Sequence, residues 1–192
     1  MNICVFCGSS FGRNGAYKGA AEALGAELAR REIGLVYGGA SVGLMGALAN
    51  AALAEGGEVI GVIPEALAAL EIAHADLAEL RVVSSMHERK AQMADLSNAF
   101  IALPGGIGTL EETFEVWTWS QLGLHSKPIG LLNVDGFYDG LNAFLDHLVD
   151  DAFVKASHRG ILLSERDPSM LIENLISAEL PRDHKWVNHL ER

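Results

Sequence analysis

The chain of 192 residues is long enough for one sizeable core, and its 25 acidic against 14 basic residues leave a net charge of -11. An acidic surface lacks the counterion-release attraction that holds phosphate polymers, which excludes a nucleic-acid partner. No apolar run reaches the ~18 residues that cross a bilayer, and Met1-Asn2-Ile3-Cys4 has neither the basic nor the long apolar part of a secretion signal, so a cytoplasmic protein with no membrane partner is expected.

In chain order, short apolar runs alternate with longer stretches of helical period, the pattern of βαβ units around a parallel sheet. The first run is Ile3 to Phe6, and after a glycine-serine turn Tyr17, Ala21, Leu24 and Leu28 recur as one helix face. Further strands are expected at Gly34 to Tyr37, Val59 to Ile63, Leu80 to Val83, Phe100 to Leu103 and Ile129 to Leu132. Helices are expected over 43–55, 86–97, 109–122 and 137–150. The runs show little polar alternation, so the expected fold is α/β, a doubly wound and mainly parallel sheet with helices on both faces. No linker divides the chain, which predicts one domain over 1–180 and a polar tail over 181–192.

The two cysteines, Cys4 and Cys7, have C-x-x-C spacing but lie in an apolar run. Residues three apart on a strand face opposite sides, roughly 10 Å apart, too far for a disulfide. A zinc site would need a second Cys or His pair, which is missing.

In open parallel sheets ligands collect beyond the carboxyl ends of the strands. Three glycine-rich turns fall there: Cys7-Gly8-Ser9-Ser10, Gly38-Gly39 through Gly43 to Gly46, and Pro104-Gly105-Gly106-Ile107-Gly108-Thr109. Each feeds a helix start, whose free N–H groups and dipole attract a phosphate once glycine lets the backbone approach. None reads as a dinucleotide fingerprint or a P-loop, so a mononucleotide is the economical ligand.

Thr109-Leu110-Glu111-Glu112 has two readings: a capping box between Thr109 and Glu112, or a carboxylate placed for chemistry beside the phosphate. Met86-His87-Glu88-Arg89-Lys90 puts cations in a first helical turn, against the dipole, which an anion nearby would rationalise. His87 alone reads as a polar surface residue. Trp117 and Trp119 sit at helical spacing suited to core or subunit contact.

Together, Val5 to Ser10, Tyr37 to Gly46, Met86 to Lys90 and the P-G-G-x-G-T-x-x-E stretch from Pro104 to Glu112 resemble the LOG family of cytokinin-activating phosphoribohydrolases, over about residues 2 to 165. The resemblance implies a Rossmann-like homodimer that hydrolyses cytokinin riboside 5′-monophosphates, and often AMP, to free base and ribose 5-phosphate, with no cofactor. It places the catalytic arginine on Arg89 and the catalytic glutamate on Glu112. Substrate binding falls on Lys90, on Gly105, Gly106, Ile107, Gly108, Thr109, Leu110 and Glu111, and on Glu71. Gly8, Ser9, Gly38, Gly39 and Gly43 join them through their turns. Ile107 departs from the aromatic frequent there, which bears on base preference. The competing readings are a non-catalytic nucleotide-binding module, which the same turns would serve, and a pyridoxal-dependent lysine decarboxylase, a label such proteins often carry and for which the residues give no independent support.

Overall fold

The computed structural model describes residues 1–70 and 72–181; Glu71 and all of the expected tail beyond Pro181 lie outside the described residues. The strands are β1 (Asn2–Phe6), β2 (Gly34–Tyr37), β3 (Val59–Pro64), β4 (Glu79–Val83), β5 (Ala99–Ala102), β6 (Ile129–Leu132) and β7 (Leu162–Glu165). The helices are α1 (Gly15–Arg30), α2 (Gly43–Ala54), α3 (Glu65–Ala68), α4 (Met86–Asp95), α5 (Ile107–Gln121), α6 (Asp139–Asp150), α7 (Ala156–Arg159) and α8 (Pro168–Ser177). All pairings between these strands run parallel, in the order β4-β3-β2-β1-β5-β6-β7.

The expected strands and helices are present within a few residues. The sequence reading lacked β7, α8 and the short α3 and α7. β7 carries only two apolar residues before Ser164 and Glu165, too short a run to stand out. No helix among the described residues is long and apolar enough to cross a membrane.

Alternation sorts the strand side chains onto two faces. Ile3, Val5 and Cys7 enter one core with Leu24 and Leu28 of α1, Leu44 and Leu48 of α2 and Leu171 of α8. Cys4 and Phe6 enter the other, with Met93 of α4, Val116 and Trp117 of α5 and Leu145 of α6. The two cysteines are thus free thiols on opposite faces. Trp117 is buried and donates its Nε1–H to the His158 carbonyl at 2.9 Å, while Trp119 is half-buried against the same core.

The chain lays β1 to β4 outward on one side, then returns to place β5 on the other side of β1. That reversal opens the crevice where doubly wound sheets bind ligands. α1 and α2 brace its first wall at close range: a Cβ on Gly25 would collide with the Leu48 carbonyl oxygen and lie 3.2 Å from the Ala52 nitrogen. Gly25→Ala must push the helices apart, so urea unfolding should show a loss of about 1–3 kcal/mol; unchanged stability would contradict this backbone contact.

Candidate active site

Hydrogen bonds lace the three glycine turns into one surface at the crevice. Gly8 N–H donates to the Pro104 carbonyl at 3.1 Å, and Leu44 N–H donates to the Gly8 carbonyl at 3.0 Å. From below, the buried Tyr138 hydroxyl donates to the Leu103 carbonyl at 2.6 Å, holding the strand end that launches the third turn. Asn133 Oδ1 in turn accepts from Tyr138 N–H at 2.7 Å. The sequence reading missed this support, because a tyrosine thirty-odd residues downstream carries no local sign of its partner.

Above these turns lies a cavity of about 310 Å³. The first two turns contribute Gly8, Ser9 and Gly38 to its wall, the third contributes Gly106, Ile107, Gly108 and Thr109, and Arg89 and Glu112 face it from α4 and α5. Gly38 is glycine because a Cβ there would collide with Arg89 Nη2 and lie 3.1 Å from Met45 Sδ. Gly106 and Gly108 differ: a Cβ on either would meet no protein atom within 4 Å. Their bareness leaves open space at the start of α5.

The Thr109–Glu112 capping box is not formed. α5 begins two residues earlier than expected, with Gly106 as N-cap, no side-chain cap and no acid in its first turn. Thr109 is buried inside the helix, packed where a Cβ on Gly105 would strike its hydroxyl. The first N–H groups of α5 therefore present an uncapped, positively polarised end to the cavity. Beside the cavity, a side-chain cap forms on α4 instead. Ser85 Oγ accepts from Glu88 N–H at 3.2 Å, and Glu88 Oε2 accepts from Ser84 N–H at 2.8 Å and Ser84 Oγ at 2.7 Å. It offsets the dipole cost of Arg89 and Lys90 further along the helix.

Arg89 is 8% exposed, its Nε finds no hydrogen-bond partner among the described residues, and Nη1 reaches only Met86 Sδ at 3.8 Å. Nη2 lies 4.0 Å from Glu112 Oε1, a charge contact too long for a hydrogen bond. Burial pushes the Glu112 carboxyl above its usual range, against the pull of Arg89. A desolvated guanidinium with unmet donors facing a carboxylate is arranged to receive further oxygen or nitrogen atoms between them. Cys7 also lines the cavity, but burial and the Glu112 charge push its thiol far above the ordinary value, so it is no thiolate nucleophile.

Other expected site residues stand apart from this cavity. Lys90 is turned to Glu111 and Glu115, and Leu110 packs half-buried on the core. Gly39, at φ +72°, packs near Leu80 and Ile63, and Gly43, at φ +58°, against the Ser9 backbone. Gly105 lines an adjoining cleft of about 270 Å³ with Tyr17 and Phe137. His87 is exposed, as expected. Three methionines on the cavity wall, Met45, Met86 and Met93, were not foreseen, since a methionine in an apolar or helical stretch reads in sequence as ordinary packing.

A parallel sheet whose glycine turns meet at the strand reversal makes this a Rossmann-like protein, with a crevice lined by a buried cation and an uncapped helix start. Comparison with known proteins narrows the class. The family described as "Possible lysine decarboxylase" matches residues 45–175. The chain is 55% identical over 173 residues to the Oryza sativa protein named "Probable cytokinin riboside 5′-monophosphate phosphoribohydrolase LOGL9", covering 90% of this chain and 76% of that one. It is 50% identical over 188 residues to the Arabidopsis thaliana cytokinin riboside 5′-monophosphate phosphoribohydrolase LOG2, covering 98% and 88%. Among solved structures, the molybdenum cofactor binding protein from Rippkaea orientalis shares the fold at a TM-score of 0.70 and 23% identity, over 92% of this chain and 95% of that one. The chain belongs to the LOG family.

The raised Glu112 carboxyl has a consequence for stability. A group whose pKa rises on folding contributes stability below its unfolded value, and that contribution is lost as pH climbs through the folded value. Above the ordinary glutamate value of 4.5, ionised Glu112 therefore burdens the fold. Glu112→Gln should melt at an increasingly higher temperature than the parent as pH rises above 4.5; a difference that is flat with pH would refute the shift.

Proposed function

We propose that this protein is a hydrolase that cleaves the N-glycosidic bond of cytokinin riboside 5′-monophosphates and of AMP, releasing free base and ribose 5-phosphate. The observation that carries the reading is the buried, incompletely bonded Arg89 set 4.0 Å from Glu112 beside the uncapped start of α5. The 5′-phosphate sits on the N–H groups at Gly106, Ile107 and Gly108, where the missing Cβ atoms leave space. Its binding energy, remote from the breaking bond, holds the ribose in place.

The bond from ribose C1′ to the base nitrogen breaks with its electron pair leaving on the base, while positive charge grows on the sugar ring. Ionised Glu112 stabilises that charge and takes a proton from the water whose oxygen bonds to C1′. The departing base gains a proton, so the sum is addition of one water. Burial raises the basicity of Glu112, which suits this step. The Arg89 guanidinium donates hydrogen bonds to substrate oxygen or to the leaving base.

The decarboxylase reading fits the residues poorly. A Schiff base needs a neutral lysine amine in the site; no lysine among the described residues lines this cavity, and Lys90 is held charged between two carboxylates. The proposal extends to one catalytic domain over 1–180 that works as a cytoplasmic homodimer. The half-buried Trp119 and the exposed Leu122 and Leu124 at the end of α5 support a second subunit there, and two free buried thiols suit a reducing compartment.

Incubation with AMP and isopentenyladenosine 5′-monophosphate should release free base, and the matching nucleosides should react at least about 100-fold less efficiently because they lack the orienting phosphate. Equal efficiency on adenosine and AMP would remove the phosphate cradle, and binding without base release would leave a nucleotide-binding module. Glu112→Gln should bind AMP without cleaving it. For assembly, light scattering at micromolar concentration should give a dimer mass; a fully active monomer would refute the second subunit.

A further inference from the structure

We propose that Lys90 is a positioning residue: its ammonium, clasped by Glu111 and Glu115, locks α4 to α5 and so sets the spacing between Arg89 and Glu112, without itself binding the substrate phosphate. The assignment rests on the hydrolase reading above and departs from the substrate-binding role that resemblance gives this lysine. Lys90 is 9% exposed and does not line the cavity. Its Nζ donates to Glu111 Oε1 at 2.6 Å and to Glu115 Oε1 at 3.1 Å, and lies 3.0 Å from Glu115 Oε2. Both of these hydrogen bonds go to carboxylates of α5 and not into the crevice.

The arrangement is a two-point registration. Neighbours on a helix point about 100° apart, so Arg89 and Lys90 project from α4 in different directions, as Glu111 and Glu112 do from α5. One pair, Arg89 with Glu112, faces the cavity and is left unbonded at 4.0 Å. The other, Lys90 with Glu111 and Glu115, closes tightly behind it. A single contact would let either helix roll or slide; two contacts at different angles do not. Glu111 and Glu115, four apart on one helix face, would repel each other, and the ammonium between them removes that cost. The loose pair can therefore stay apart, ready for substrate, because the tight pair carries the load of holding the helices.

The same cluster sets the charge around Glu112. Facing it are Arg89 and Lys90 from α4, Glu111 and Glu115 on its own helix, the Cys4 thiol of β1 and the Cys7 thiol just after it. Lys90 lowers the Glu112 carboxyl pKa, and Glu111 and Glu115 raise it. Loss of Lys90 should raise that pKa, and loss of either partner carboxylate should lower it.

The test compares Lys90→Met, Lys90→Arg and Glu115→Gln with the parent on AMP, and follows the Glu112 carboxyl by carbon-13 NMR titration, a readout that needs no turnover. Lys90→Met should lower kcat by about 10-fold or more with KM changed less than about 2-fold, and should move the Glu112 titration upward. Lys90→Arg should restore most of the kcat. Glu115→Gln should lower kcat in the same direction, add little when combined with Lys90→Met, and move the titration downward. A rise in KM for AMP at unchanged kcat in Lys90→Met, with Glu115→Gln indistinguishable from the parent, would make Lys90 a phosphate ligand and overturn the proposal. An unmoved Glu112 titration in both variants would overturn it as well. If the parent releases no base, the hydrolase reading fails separately, and the titrations still decide whether Lys90 acts on Glu112.

Discussion

One buried guanidinium organises this molecule. Placing Arg89 at 8% exposure without full hydrogen bonding is costly, and several features around it make that placement tolerable. Glu112 supplies countercharge across a gap, the side-chain cap of Ser85 and Glu88 steadies the helix that carries the arginine, and Gly38 removes a Cβ that would occupy its space. The order of strands in the sheet serves the same end. Because β5 returns to the far side of β1, the helix that follows it delivers Glu112 to the arginine from the opposite wall.

Much of the fold was legible because parallel strands buried on both faces must be short, continuous apolar runs, and β1, β2, β5 and β6 are such runs. β7 was not legible, ending in Ser164 and Glu165 at the margin of the sheet. α8 could have been read, since Asp167 caps it and Pro168 opens it, the usual signs of a helix start. Ser85 and Glu88 have the same spacing as Thr109 and Glu112, although only the latter pair was read as a capping box. Only the Ser85 pair caps its helix, because the glycines before Thr109 carry the start of α5 back to Gly106. Spacing alone could not distinguish them.

The site was legible in its motifs and less so in its division of labour. The turns mark where an anion goes, and Arg89 and Glu112 do meet there. Adjacent letters nevertheless hide different tasks: Arg89 faces the cavity and Lys90 the neighbouring helix, Glu112 the cavity and Glu111 the lysine. A helix separates consecutive side chains by about 100°, so a contiguous motif cannot point wholly into one pocket. The glycines divide likewise, Gly38 and Gly105 making room for protein atoms, Gly106 and Gly108 leaving room for something else.

The sulfur lining of the cavity bears on oxidative damage. Cys7, the thiol on that wall, is kept protonated by burial and by the carboxylate beside it, and a protonated thiol is a poor target for peroxide or alkylating reagents. Met93 is 1% exposed and sheltered by packing, whereas Met86 is 44% exposed at the cavity wall, with its sulfur next to Arg89. Oxidation of this crevice therefore falls first on a thioether, giving a polar sulfoxide against the guanidinium. That lesion is one methionine sulfoxide reductases reverse, so the injury is repairable where damage to a catalytic cysteine would often be permanent.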